Sequence, residues 1–245
     1  MRFVIVVVFV LAASLAWAGD PTTQVVGVGL TQPQWEPAKE VELKWLQAPG
    51  EATLVSSQDF FDQAILSECA DDFYCDDLRP IVAVEWWGGY WNYGTTLLTY
   101  VDHFVIRFYD DVPGPPFSHP GNLLYEEDCY VYSETYEDGT EPNTLFYHYY
   151  QDLDVEFEQV PGNIYWISVQ AYYTYEGGGQ WGWRLSDDHW NDVAAFRSVY
   201  FMGDDNWHPA TEVWGAEYDL AFALYVPVIN PVEAATWSGI KALYR

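Results

Sequence analysis

Apolar and polar residues alternate along much of this chain with the two-residue period of a β-strand. The clearest case is Leu153–Val160, where apolar residues at positions 153, 155 and 157 are separated by carboxylates. Such alternation places one face of a strand in a core and the other in water. The Pro161-Gly162-Asn163 turn signal follows, so Ile164–Tyr173 is expected to return as the second strand of a hairpin.

Similar short runs rich in Val, Ile, Tyr, Phe and Trp predict strands at Ile81–Trp87, Phe104–Tyr109, Leu123–Tyr132, Thr144–Tyr150 and Leu220–Val226. Helical periodicity is scarce, and no spacing suits a βαβ unit. The Pro-rich segment 110–116 cannot be a central strand. The pattern predicts an all-β protein, an antiparallel β-sandwich of jelly-roll-like type with roughly eight or more strands.

The N-terminus has the features of a secretory signal peptide over residues 1–18. Arg2 precedes an apolar run, and Ala16-Trp17-Ala18 forms a cleavage site of small residues. We therefore expect a secreted or cell-surface protein with no membrane span after cleavage. A lead-in segment is expected at 19–43, a single sandwich domain at 44–228 and a C-terminal tail at 229–245.

Composition adds a strongly acidic balance to this picture. The chain has 37 acidic and 9 basic residues, a formal charge of -28, and 50% hydrophobic residues. The high hydrophobic fraction indicates that the chain folds. Its negative charge repels nucleic acid and anionic lipid and so excludes them as partners. Excess carboxylates are compatible with bound cations such as Ca²⁺, with a saline habitat or simply with solubility.

The cysteines Cys69, Cys75 and Cys129 predict one disulfide and one leftover thiol in an exported protein. If 67–75 is one extended strand, Cys69 and Cys75 lie about 20 Å apart, beyond the roughly 7 Å that a disulfide spans. A pair including Cys129 is then favoured, whereas a turn within 71–74 would reverse that preference. The spacing does not suit a zinc site.

A dense aromatic segment is the first candidate ligand site. Adjacent strand positions face opposite sides, so neighbouring tryptophans cannot share one core face. Exposed rings would suit stacking on a sugar or docking on another protein; the alternative is that all of them fill the core. The candidates are Trp86, Trp87, Tyr90, Trp91 and Tyr93.

A second candidate combines aromatic rings with polar groups that could bind sugar hydroxyls. Its members are Trp181, Trp183, Asp187, Asp188, His189 and Trp190. Oxygen ligands for Ca²⁺ could come from Asp187, Asp188, Asn191 and Asp192, although the spacing is not that of an EF-hand. The alternative is a solvated acidic turn.

No pattern identifies an enzyme. The five histidines form no metalloprotease motif, and there is no nucleophile elbow or phosphate-binding loop. A glycoside hydrolase needs two carboxylates roughly 5–10 Å apart, a criterion that any chain this acidic meets by chance.

Several dispersed motifs together resemble an uncharacterised family of exported bacterial β-sandwich domains. They are Ala70-Asp71-Asp72-Phe73, Trp86-Trp87-Gly88-Gly89-Tyr90-Trp91, Phe104–Tyr109, Trp181-Gly182-Trp183, Ser186-Asp187-Asp188-His189-Trp190 and Asp219–Leu224. The resemblance implies a secreted sandwich and no transferable activity. Residues 236–245 are similar to C-terminal tails of exported proteins, which would make them a sorting signal; otherwise they form a short terminal helix.

The sequence therefore predicts a non-catalytic extracellular binding module, with a glycan or an extracellular protein as partner and no required cofactor. The alternatives are a structural protein that self-associates into a surface layer or fibre and, less favoured, a glycoside hydrolase.

Overall fold

A computed structural model describes residues 40–63, 65–91, 101–137, 144–174 and 179–229. The predicted signal peptide, Tyr93, most of the lead-in and the tail beyond Ile229 lie outside these residues. The described chain is 67% strand and 5% helix. Two sheets pack face to face, so the predicted all-β sandwich is confirmed.

The first sheet has eight strands. They are β1 (Val41–Gln47), β2 (Pro49–Ser56), β5 (Ile81–Trp91), β8 (Ser133–Glu137), β9 (Thr144–Phe157), β11 (Gln180–Ser186), β14 (Asp219–Leu220) and β15 (Phe222–Pro227). The long strand β5 is central: β9 pairs along one edge, while β15 and β11 share the other. β8, β1 and β2 lie outside β9, β15 and β11 respectively.

The second sheet has seven strands in the order β13-β12-β4-β3-β10-β6-β7. They are β3 (Gln58–Phe60), β4 (Ile65–Tyr74), β6 (His103–Val112), β7 (His119–Cys129), β10 (Ile164–Tyr173), β12 (Ala195–Ser198) and β13 (Asp204–Pro209). Two short helices, α1 (Val199–Met202) and α2 (Ala210–Trp214), flank β13. The pair β3–β10 is parallel, whereas the other pairings of this sheet are antiparallel.

The core consists of large aromatic side chains between the two sheets. Trp86 stacks on Tyr149 at 5.4 Å and meets the edge of Phe104 at 5.1 Å. Phe104 comes from the second sheet, so these rings join the two layers. Because aromatic side chains bury 150–250 Å² each, this cluster supplies a large part of the hydrophobic driving force.

The predicted hairpin at Pro161-Gly162 is wrong. β9 pairs with β5 and β8 in the first sheet, whereas β10 pairs with β3, β4 and β6 in the second. The turn therefore carries the chain from one sheet to the other. An alternating pattern shows that a strand has a buried face, but it does not show which strand lies beside it.

β9 also merges two predicted strands into one that runs from Thr144 to Phe157. Leu153 and Phe157 are buried as expected, but Val155 is 67% exposed. The pairing partners change from Asp152 opposite Ala83 to Phe157 opposite Ile81, which marks a bulge. A bulge interrupts the alternation of faces, and this explains the exposed valine.

Several boundaries differ from the sequence expectations. β1 begins at Val41, ahead of the expected domain start at residue 44. β5 continues to Trp91, and β6 continues to Val112, into the segment assigned to a loop. The prolines at 113–116 follow that strand, so they do not interrupt its pairing. Among the described helices, none is long and apolar enough to cross a membrane.

Candidate functional site

Three buried carboxylates meet where the ends of β4, β11 and β14 approach one another. Asp71 and Asp72 lie next to each other on β4, and Asp219 opens β14; all three side chains are buried. Adjacent strand residues point to opposite faces. Asp71 therefore reaches between the sheets, while Asp72 and Asp219 hold the loop that follows β11, residues 187–193.

Asp71 ties the two sheets together. Its Oδ2 accepts hydrogen bonds from Gln47 Nε2 at 2.8 Å and from the Leu220 amide at 2.5 Å. Its Oδ1 accepts from the Asp72 amide at 2.9 Å. Burial raises the pKa of Asp71 well above its ordinary value, and the neighbouring Asp219 and Asp72 carboxyls raise it further.

Asp72 holds the 187–193 loop from the other side of the strand. Its Oδ2 accepts a hydrogen bond from Asn191 Nδ2 at 2.6 Å, and burial raises its pKa to about 8. Its Oδ1 has no hydrogen-bond partner among the described residues. Asn191 has a φ of 56°, a left-handed conformation that asparagine tolerates better than most residues.

Asp219 fixes the middle of the same loop. It accepts hydrogen bonds from the Trp190 amide at 2.8 Å and from His189 Nδ1 at 3.0 Å. Burial raises the pKa of Asp219 above its ordinary value. The imidazole of His189 is half exposed, with 51% of its side chain accessible. The carboxylate therefore orients a histidine toward solvent.

A pocket of about 380 Å³ opens beside the 187–193 loop. Its apolar lining comes from Pro116, Phe117 and Pro209, and its polar lining includes Thr211 and Glu212 of α2. The loop itself contributes His189, Asn191, Asp192 and Val193. The volume lies within the range of small-molecule sites, which combine apolar walls with a few convergent polar groups.

An aromatic group lies on the same loop. Trp190 is half-buried and meets Trp45 of β1 edge-on at 5.1 Å and Tyr74 of β4 at 6.3 Å. Tyr74 is 40% exposed. Of the predicted ligand residues, His189 therefore lines the pocket, and the half-buried Trp190 lies next to it in the chain.

Asp187 and Asp188 are exposed, but their carboxylates accept hydrogen bonds from backbone amides. Asp188 Oδ2 accepts from the Ala48 amide at 3.0 Å, and Asp187 Oδ2 from the Glu51 amide at 3.4 Å. The carboxylate of Asp188 faces the β1–β2 connection and that of Asp187 faces β2, whereas Asn191 directs its amide nitrogen to Asp72. No group of three or more His, Cys, Asp and Glu suited to a metal occurs among the described residues, so the structure does not assemble the predicted Ca²⁺ ligands.

Four aromatic candidates lie in the core. Trp86, Tyr90, Trp181 and Trp183 have no exposed surface, and Trp183 Nε1 donates to the carbonyl oxygen of Ala221 at 2.8 Å. A ligand cannot stack on a ring that is already covered on both faces. The prediction of ligand contacts is therefore corrected for these four, and the alternative, core packing, describes them.

Trp87 and Trp91 occupy the outer face of the first sheet. Trp87 is 8% exposed, stacks on His148 at 4.9 Å and donates from Nε1 to Glu137 Oε1 at 3.2 Å. Trp91 is half-buried beside Gly182, where a Cβ would lie 2.3 Å from its ring. Both rings are largely covered by neighbours within the sheet.

The expected disulfide is not formed: Cys69, Cys75 and Cys129 are free and buried. Cys69 lies on β4 and Cys129 on β7, with β10 and β6 between these strands. Three strand spacings amount to about 14 Å, twice the reach of a disulfide. Cys75 donates from Sγ to the Asp77 carbonyl oxygen at 3.0 Å.

Sequence reasoning did not place the Asp71-Asp72 pair, which is buried and hydrogen-bonded next to the 187–193 loop, at the candidate site. Two consecutive carboxylates within an apolar strand are an unusual signal, because buried acids require partners. Asp219 carries the same signal at the start of Asp219–Leu224. No local pattern marked Phe117, Pro209 or Glu217 as neighbours of the 187–193 loop, because tertiary structure alone brings these segments together.

Fold and site together define an all-β sandwich with buried carboxylates behind a surface pocket. The chain matches the family model of a domain of unknown function, DUF7901, over residues 43–225, and it belongs to that family. No curated protein and no solved structure matches it at a significant level.

Proposed function

We propose that this protein is a secreted or cell-surface, non-catalytic binding module that recognises a carbohydrate in the pocket beside the 187–193 loop. The observation that carries the proposal is the lining of that pocket. An aromatic ring, Phe117, and two prolines line it together with a histidine, an asparagine, a threonine and carboxylates.

A site that binds a sugar ring needs both apolar and polar side chains. Its C–H face packs against flat apolar side chains, and its hydroxyls pair with amides and carboxylates at the ring edge. Asn191 and Asp192 are positioned for the second role, because buried Asp72 fixes the loop through Asn191. A loop fixed in advance loses less entropy on binding.

The buried carboxyls argue for a structural role rather than catalysis. A glycosidase requires carboxyl groups that reach its substrate. Asp71 and Asp72 have the raised pKa of a general acid, but both are fully buried and bonded to the backbone or to the loop. They therefore support the site from behind.

The test is a glycan-array screen of the full-length chain, followed by calorimetry of each hit with the variant Phe117→Ala. We expect the variant to remain folded and to bind at least about fivefold more weakly, since an aromatic stacking contact contributes about 1 kcal/mol or more. Phe61→Ala is the matched control, because Phe61 is 57% exposed and does not line the pocket. Hits that both variants bind as tightly as the wild type would refute this location.

Self-association into an extracellular assembly is the second candidate. Helix α1 presents Val199, Tyr200 and Phe201 to solvent at 57, 61 and 55% exposure. Adjacent exposed apolar residues on a highly charged surface favour an apolar contact between copies. Light scattering of the wild type and of Tyr200→Ser tests this. If both proteins are monomers, assembly through α1 is excluded. If the wild type forms large particles and the variant is a monomer, assembly through α1 is established.

A further inference from the structure

The pocket beside the 187–193 loop has carboxylates but no Lys or Arg in its lining. Asp192, Glu212 and Glu217 contribute three carboxylates. Asp192 accepts from the Asn191 amide at 2.8 Å, and Glu212 lies 3.4 Å from His208 Nδ1. Glu217 is exposed and has neither a hydrogen bond nor an ion pair within the described part of the chain.

A buried carboxyl group, Asp72, holds one of the residues that line the pocket. Asn191 lines the pocket and donates to Oδ2 of Asp72. Oδ1 of the same fully buried carboxyl has no hydrogen-bond partner among the described residues.

The basic residues elsewhere in the described part of the chain do not offset this charge. The described chain contains five Lys and Arg residues, and each is ion-paired with a carboxylate outside the pocket. The pairs are Lys44 with Asp77, Arg79 with Glu42 and Asp77, Arg107 with Glu68 and Glu126, Arg184 with Glu137, and Arg197 with Glu68.

We infer that the ligand carries a positive charge, and that it is an amine-bearing saccharide; this rests on the proposed carbohydrate function of the same pocket. A neutral sugar would remove water from Asp192, Glu212 and Glu217 without neutralising them, which is costly. An ammonium group supplies both a counter-charge and three hydrogen-bond donors. An acidic polysaccharide is repelled by the pocket and by the whole chain.

The experiment compares oligosaccharides of one length by calorimetry on the full-length protein: a glucosamine oligomer, its N-acetylated counterpart and a galacturonate oligomer, with spermidine as an amine without a sugar. We expect the glucosamine oligomer to bind about tenfold more tightly than the acetylated one and to weaken as salt is added. The galacturonate oligomer should not bind.

The variant Glu217→Gln should reduce the preference for the free amine. Glu158→Gln is the matched control, because Glu158 is also exposed and lies outside the pocket. Equal losses in the two variants would indicate a general effect of net charge and would overturn the assignment to this pocket.

The remaining outcomes separate the two proposals. Equal affinity for the free and acetylated oligomers overturns the inference about charge and leaves the carbohydrate function standing. Binding of spermidine without any saccharide overturns the carbohydrate function and identifies a site for amines. Binding of no probe overturns the inference of an amine-bearing saccharide, whereas the carbohydrate function is then decided by the glycan array.

Discussion

The side-chain amide of Asn191 donates a 2.6 Å hydrogen bond to the buried carboxyl of Asp72, 119 positions earlier in the chain. This contact joins the loop that lines the pocket to a strand of the second sheet. Asn191 also has a left-handed backbone. Two separate properties of one residue, its amide and its backbone conformation, therefore fix the loop.

The variants Asn191→Ala and Asn191→Gly separate these two properties. Alanine loses the amide and strains the backbone, so we expect it to lower the free energy of unfolding by about 2–3 kcal/mol. Glycine loses only the amide and should be about 1 kcal/mol less damaging. Urea unfolding measures both; a glycine variant as stable as the wild type would show that the amide contributes nothing.

Stability should decrease as pH rises, because the Asp72 carboxyl is buried. Its pKa is raised to about 8 in the folded protein, whereas an aspartate in an unfolded chain titrates near pH 4. Between these values the folded state binds more protons than the unfolded state. The free energy of unfolding therefore falls as pH rises from about 4 to about 8, by an amount on the order of a few kcal/mol.

Asp72→Asn is the test of that pH dependence. The amide cannot ionise, so the variant should show a flatter dependence of unfolding free energy on pH than the wild type. Urea unfolding between about pH 5 and pH 9 measures the slope. Parallel profiles for the two proteins would mean that Asp72 is not the responsible group.

Trp183 should be essential for stability rather than for ligand contact. It is fully buried and donates a hydrogen bond to Ala221. Trp183→Ala is expected to lower the free energy of unfolding by about 3–5 kcal/mol, against less than about 0.5 kcal/mol for the exposed Phe61→Ala. A folded Trp183→Ala variant of near-native stability would contradict the core assignment.

The three thiols should be protected and unlinked in the folded protein. Cys69, Cys75 and Cys129 are buried and free, and burial raises the pKa of Cys69 well above its ordinary value, which disfavours the reactive thiolate. A thiol reagent should label none of them in native buffer and all three in denaturant without reductant. Labelling of a single thiol in denaturant would reveal a disulfide.

The sequence by itself determined the class of fold. A short apolar run after a turn signal, Ile164–Tyr173, predicted a strand with the observed bounds, because runs rich in aromatic and β-branched residues between turn residues favour a strand. The same local information predicted a hairpin between β9 and β10, which is wrong. The choice of a neighbouring strand is made by contacts between distant residues.

Only the tertiary structure decided the site. Whether Trp86 or Trp87 faces the core depends on which face of the strand the second sheet covers. The residues adjacent in sequence do not determine that. Asp72, Asn191 and Asp219 were visible as residue types, but their contacts span 119 and 29 positions. A sequence shows which groups need partners when buried; the packing of the two sheets decides which partners they meet.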